Sequence, residues 1–367
     1  MFFLDSGLTT AQVSTLFALW STTALLTEVP SGALADRVSR RLLLTIAALV
    51  KASGFALWLL WPHFTGFALG FLLWGLAGSL NSGTREALLY DVLHRMNATE
   101  HYLPISARAS TVHLLTMVTA TAAATPLFAL GGYALAGWLS VAACVVEALV
   151  YRSMPDSVAP PGSGTIRQAV LEYLGTLRQG VGQLHRIPAV RRGVLTMVLV
   201  SGLTAIDEYL PILAADQGVP RSWVPVWFTV PLLAMAIGSW FAERATSGRL
   251  IWHNIVGAIA LVTGALSGSA LGVVGIAIAF GLWQYADLVF TARLQERIEP
   301  GQRATVLSTA GLGVELLAMG IYTGFGAAAG LLPMAQLIAL SALPALLVVP
   351  VLLRPVPADA STPRHPN

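Results

Sequence analysis

The chain has 367 residues, 56% of them hydrophobic and only 11% charged, with a mean hydropathy of +0.72 and a formal net charge of +3. A soluble domain carries roughly 25% charged residues, so this composition excludes one and points to an all-α integral membrane protein. Ten-residue alternation of the kind a transmembrane β-barrel needs is absent, and the single cysteine, Cys144, leaves no disulfide framework or Cys-based metal site.

Met1 to Ala11 reads as the tail of a helix (Phe2-Phe3-Leu4) followed by a turn (Asp5-Ser6-Gly7). With Asp5 near the start and no basic segment ahead of an apolar core, no cleavable signal peptide is expected. Segments long enough to cross a ~30 Å hydrocarbon core as helix then follow at 11–34, 42–61, 65–92, 105–129, 133–151, 193–213, 224–242, 250–269, 271–292, 304–329 and 333–353. Glu28 and Pro30 fall near the end of the first, where the proline is expected to kink the helix and free a carbonyl.

Between the first two spans lies Ser31-Gly32-Ala33-Leu34-Ala35-Asp36-Arg37-Val38-Ser39-Arg40-Arg41, a short charged turn at a membrane face. Gly32, Asp36, Arg37, Arg40 and Arg41 form the pattern G-x-x-x-D-R-x-x-R-R. In this setting the pattern resembles the loop between helices 2 and 3 of the major facilitator superfamily, with Ser39 standing where that family usually has Gly. The resemblance implies twelve helices in two pseudo-symmetric bundles, so the eleven visible spans are numbered 2 to 12 and helix 1 is expected upstream of Met1, with a genuine eleven-helix protein as the alternative. It also implies a gate: Asp36 against the positive end of the helix-11 dipole, and Arg37 or Arg40 paired with Asp91 at the inner end of helix 4. Glu243 and Arg244 are expected in the equivalent place of the second half.

Under this numbering the loops after the even-numbered helices and the tail hold every basic residue except Lys51, Arg85 and Arg221. The positive-inside bias makes that face cytoplasmic. The organisation expected is a first bundle over 1–151, a cytoplasmic linker over 152–192, a second bundle over 193–353 and a cytoplasmic tail over 354–367. In the linker Ile166, Val170, Leu174 and Leu177 recur at helical spacing, which predicts an amphipathic helix. The halves also echo each other: Ala35-Asp36-Arg37 returns as Ala242-Glu243-Arg244, Gly75-Leu76 as Gly281-Leu282, and Arg108-Ala109-Ser110 as Arg303-Ala304-Thr305. Matching order and similar offsets point to duplication.

Ionisable groups within a bilayer cost several kcal/mol if unpaired, which makes each a functional candidate. The resemblance places helices 4, 7 and 10 around the central cavity. Those spans carry Arg85 and Glu86, Asp207 and Glu208, and Asp287, beside the aromatics Trp74, Tyr209, Trp283 and Tyr285. Glu28, Lys51, Glu147 and Glu315 lie on other spans, and His113 and His253 are lone helical histidines. Asp207-Glu208 is the leading pair, because adjacent carboxylates in low dielectric repel each other, the setting in which a carboxyl exchanges protons. At 1.5 Å per residue Asp207 lies about 21 Å from the cytoplasmic start of its span. Walker, H-E-x-x-H, G-x-S-x-G and Asp-rich metal motifs are absent from the sequence.

These features point to a secondary transporter of a small organic solute, with proton-coupled efflux of a drug-like or amphipathic compound preferred and uptake or uniport as the alternative. A membrane-embedded enzyme or a non-transporting sensor is the reading from another class. No cofactor, nucleic acid or metal is expected. The expected partners are the solute, a proton gradient and the bilayer, for a monomer in a bacterial inner membrane, the last suggested by arginine supplying all but one of the basic residues.

Overall fold

The computed structural model describes residues 1–35, 38–82, 84–155, 166–242, 250–297 and 303–353. Among them all regular structure is helical. The chain divides into two compact units, Met1–Tyr173 and Leu174–Asn367, with the boundary inside the linker helix α7 (Ile166–Arg186).

The first unit holds α1 (Phe2–Asp5), α2 (Thr10–Ala35), α3 (Arg40–Leu60), α4 (Phe64–Asn81), α5 (Thr84–Arg95) and α6 (Tyr102–Ser153). Phe3 of α1 packs edge-on against Phe67 and Trp58, with ring centroids 4.9 and 5.3 Å apart. α3 is capped by Ser39, whose hydroxyl accepts from the Leu42 N–H at 3.2 Å, satisfying a donor that the first turn leaves open. α6 joins the two spans expected at 105–129 and 133–151. The helix breaks where Gly132 takes φ +59°, a left-handed conformation open to glycine.

The span read at 65–92 is not one helix. α4 ends at Asn81, Ser82 leaves the helical region with ψ 127°, and α5 begins afresh at Thr84. The apolar run stops at Asn81, and the residues beyond it are polar enough to sit outside the hydrocarbon. Arg85, Glu86 and Asp91 therefore belong to a separate polar helix and not to the membrane-crossing part of this span.

The second unit continues with α8 (Pro188–Ser201), a 3₁₀ stretch (Gly202–Tyr209), α9 (Leu210–Asp216), α10 (Val224–Ala242), α11 (Leu250–Leu266), α12 (Val273–Arg297), α13 (Arg303–Ala328), α14 (Met334–Leu340) and α15 (Leu343–Leu353). Among the described residues seven segments are long and apolar enough to cross a membrane. The other expected spans are accounted for by α2, rich in Ser and Thr, by the merged α6, by the shorter α11 and by the interrupted α14–α15.

Small residues set the helix spacing, as expected where lipid supplies no hydrophobic drive between helices. A Cβ built on Gly75 of α4 would stand 2.9 Å from the Trp20 carbonyl oxygen of α2, and one on Gly281 of α12 would stand 2.9 Å from the Ala234 carbonyl oxygen of α10. These are the two glycines that the sequence repeat pairs. Each unit thus reuses one close crossing at the same repeat position. Apolar clusters then lock the ends: Ala35, Leu43, Ala47 and Leu80 join α2, α3 and α4, while Val190, Val194, Leu294, Val306 and Ala310 join α8, α12 and α13.

Candidate functional site

In the second unit α8 stops at Ser201, and Gly202 opens eight residues of 3₁₀ helix before Pro211 starts α9 on its first turn. Glycine weakens the α-helix at that point, and the break turns Ser201 and Thr204 toward α12. Ser201 donates its hydroxyl proton to the Asp287 carboxylate. Around this pair lies a cavity of about 230 Å³, with Thr204, Gln284, Asp287 and Ser201 as its polar groups and Leu203, Met235, Phe280, Trp283 and Val314 among its walls. Asp287 stands about 21 Å along α12 from Val273, five residues before the apolar span ends at Ala292.

Trp283 closes one side. Its indole is 5% exposed and packs so closely on α11 that a Cβ on Gly257 would lie 2.7 Å from the ring nitrogen. That nitrogen is buried with no hydrogen-bond partner. A buried donor left unsatisfied costs about 1–3 kcal/mol, a cost of the tight packing of this ring on α11.

The leading sequence pair sits elsewhere. Asp207 and Glu208 lie on the 3₁₀ stretch, half-buried, and neither lines this cavity. With 2.0 Å of rise per 3₁₀ residue, Asp207 is about 24 Å from Gly193 instead of about 21 Å. The pair faces α13, where the Tyr322 phenol lies within electrostatic reach of Asp207, Glu208 and Glu315. Tyr209 is fully buried against Phe325 (ring centroids 4.6 Å) and Tyr322 (6.2 Å), so it packs the core and does not line the cavity. Tyr285 stacks on His253 at 4.7 Å and 17° in a separate, mostly apolar groove of about 630 Å³ along α10, α11 and α12.

In the first unit Arg40 and Asp91 form an ion pair, and Arg40 also donates to the Ala87 carbonyl at 2.9 Å. Arg41 donates to the Met154 carbonyl at 3.3 Å. Leu44 of α3, Leu88 of α5 and Tyr151 of α6 pack beneath. The basic turn is thereby braced to α5 and to the end of α6. Gly32 is exposed with open space around it. Asp36, Arg37, Glu243 and Arg244 lie outside the described residues, as does everything about the Glu86 side chain. Arg85 is exposed on α5. Glu28 is exposed near the end of α2, and its charge, after burial, helps to push the Tyr173 phenol of α7 above its ordinary value. Trp74 lines a second, charged cavity within the first unit. Among the described residues no cluster of three His, Cys, Asp or Glu could hold a metal.

No protein-family model matches this sequence, and no curated protein matches it by sequence. Solved structures do. The nucleoside transporter NupG superposes with a TM-score of 0.71 at 13% identity, covering 95% of this chain and 91% of that one. A D-xylose–proton symporter gives 0.69 at 15%, covering 98% and 92%. A bacterial homologue of the human lysosomal transporter Spinster, inward-facing and occupied, gives 0.63 at 14%, covering 95% and 88%.

The fold is that of the major facilitator superfamily.

Of the charged pattern, Arg40 and Arg41 open α3, and Arg40 pairs with Asp91. Three polar cavity residues escaped the sequence reading: Ser201, Thr204 and Gln284. Ser201 and Thr204 flank Gly202 in an apolar run, and Gln284 adjoins Trp283. An uncharged polar residue one turn from a membrane acid was the available signal.

Proposed function

We propose that this protein is a secondary transporter that carries a small organic solute across a bacterial inner membrane by alternating access, with Asp287 as its coupling acid. The observation that carries this reading is the cavity of about 230 Å³ in which Asp287 accepts from Ser201. Its volume falls below the roughly 300–1,000 Å³ of drug-sized pockets, which favours a compact solute over a bulky amphipathic drug. The Arg40–Asp91 pair lies within one unit. Its role in this reading is to hold α5 against α3, so that the charged turn moves as one piece when the transporter changes state.

Coupling to protons with solute moving outward is the direction preferred on sequence grounds. Uptake with protons is the second reading, and it draws support from fold similarity to a proton symporter. The test is the purified chain in vesicles with a trapped pH dye, challenged with ethidium, uridine and D-xylose. Solute-evoked proton flow in the direction of the solute supports symport, and opposite flow supports antiport. Solute movement that never shifts internal pH would remove proton coupling, and no movement of any small solute would remove the transporter reading.

A further inference from the structure

The first unit carries a charged cavity of its own, of about 150 Å³, lined by Trp20 of α2, Lys51 of α3, Trp74 and Asn81 of α4, and Glu147 of α6. Lys51 lies about 16 Å along α3 from Arg40, deep in the hydrocarbon. There an unpaired charge costs at least about 2.5–3.5 kcal/mol. Opposite charges so placed would be expected to meet, yet Lys51 and Glu147 form no direct ion pair. The Lys51 ammonium instead stands 5.1 Å from the centroid of the Trp74 ring, a cation–π contact that leaves its N–H donors free to reach the cavity.

The charged groups among the lining residues are a donor, the Lys51 ammonium, and an acceptor, the Glu147 carboxylate. An anion alone would satisfy only the donor and leave Glu147 exposed to low dielectric. A cation alone would do the reverse. A molecule with a negative and a positive end matches both.

We propose that this cavity is a binding site for a small zwitterion of amino-acid type, its carboxylate toward Lys51 and its ammonium toward Glu147. The size agrees. An engineered cavity of about 150 Å³ takes up benzene, with six heavy atoms, and alanine has the same number. The site lies wholly within one unit and is independent of the Asp287 cavity, so it stands or falls apart from the transport reading.

The experiment is calorimetric titration of the purified, monodisperse chain with alanine, acetate and methylamine. Saturable binding of alanine is expected. Acetate and methylamine, each able to satisfy one half of the site, should bind about tenfold more weakly or worse, because each forfeits an ionic hydrogen bond. Lys51→Met and Glu147→Gln should each weaken alanine by a similar factor, with helical content checked by circular dichroism. Absence of saturable alanine binding to the folded parent chain overturns the proposal and leaves a cavity for water alone. Equal affinity for alanine and acetate, or an alanine affinity unchanged in both folded variants, overturns it as well.

Discussion

The close crossing of α10 and α12 frames the Asp287 cavity, because Met235 on one side and Phe280, Trp283 and Gln284 on the other line it. Gly238→Ala tests how rigid that frame is. A Cβ on Gly238 would stand 2.2 Å from the Gly281 carbonyl oxygen, 1.2 Å short of the 3.4 Å at which ordinary contact begins, with the Tyr285 nitrogen at 3.3 Å. The near atom is backbone, so the helices must part by about 1 Å or bend. Overpacking of this kind typically destabilises by about 1–3 kcal/mol, from which the better helix propensity of alanine recovers up to about 1 kcal/mol. At about 2–4 °C per kcal/mol for a large domain, the melting temperature in detergent should fall by several degrees. Gly281→Ala, facing the Ala234 carbonyl oxygen at 2.9 Å, should fall less, and Gly320→Ala on α13, with open space around it, should hold or rise. Thermal unfolding followed by fluorescence-detected size exclusion gives the three values. Equal melting temperatures for the Gly238 and Gly320 variants would refute the packing argument.

Asp91→Asn removes one partner of a partly buried ion pair, with side-chain exposures of 14% for Arg40 and 28% for Asp91. It should loosen α5 from α3 by about 1–2 kcal/mol, between the surface and buried cases, and hydrogen exchange of 84–95 should accelerate correspondingly; unchanged exchange would show that the apolar contacts alone hold α5. Asp207→Asn with Glu208→Gln should leave proton-linked transport in place, since neither side chain lines the cavity, and a vesicle assay that loses pH dependence in this double variant would return the coupling role to the pair. Tyr209→Ala removes a fully buried ring and should destabilise by about 3–5 kcal/mol, as for other large aromatic truncations, whereas Tyr209→Phe should cost far less; both follow from thermal melts. Cys144, 6% exposed, should react with maleimide only after unfolding, as mass spectrometry would report.

The fold was legible because its signals are long. Spans of about 20 apolar residues, a charged turn of fixed spacing and a second half that repeats Gly75-Leu76 at Gly281-Leu282 all survive in a single sequence. Local breaks were less legible. Asn81-Ser82 ends α4 within a run that hydropathy averages over, and Gly202 converts a span into 3₁₀ helix although its neighbours are apolar. Both breaks matter for the candidate residues: the first puts Arg85, Glu86 and Asp91 on a separate helix, and the second leaves Ser201 bonded to Asp287 while Asp207 and Glu208 lie toward α13. Charge alone therefore did not show which acid lines a cavity. Which acid shares a cavity depends on helix phase and on packing between distant spans, as when Tyr209 stacks on Phe325 of α13, and neither is a property of a local window.

The central claim is that Asp287 couples solute movement to protons. Asp287→Asn keeps the side chain's shape while removing the carboxyl that could take up and release a proton. In vesicles holding the purified variant, counterflow of solute between the two sides should persist, while accumulation driven by an imposed pH gradient should vanish. Gradient-driven accumulation at the parent rate in a folded Asp287→Asn protein would contradict the account.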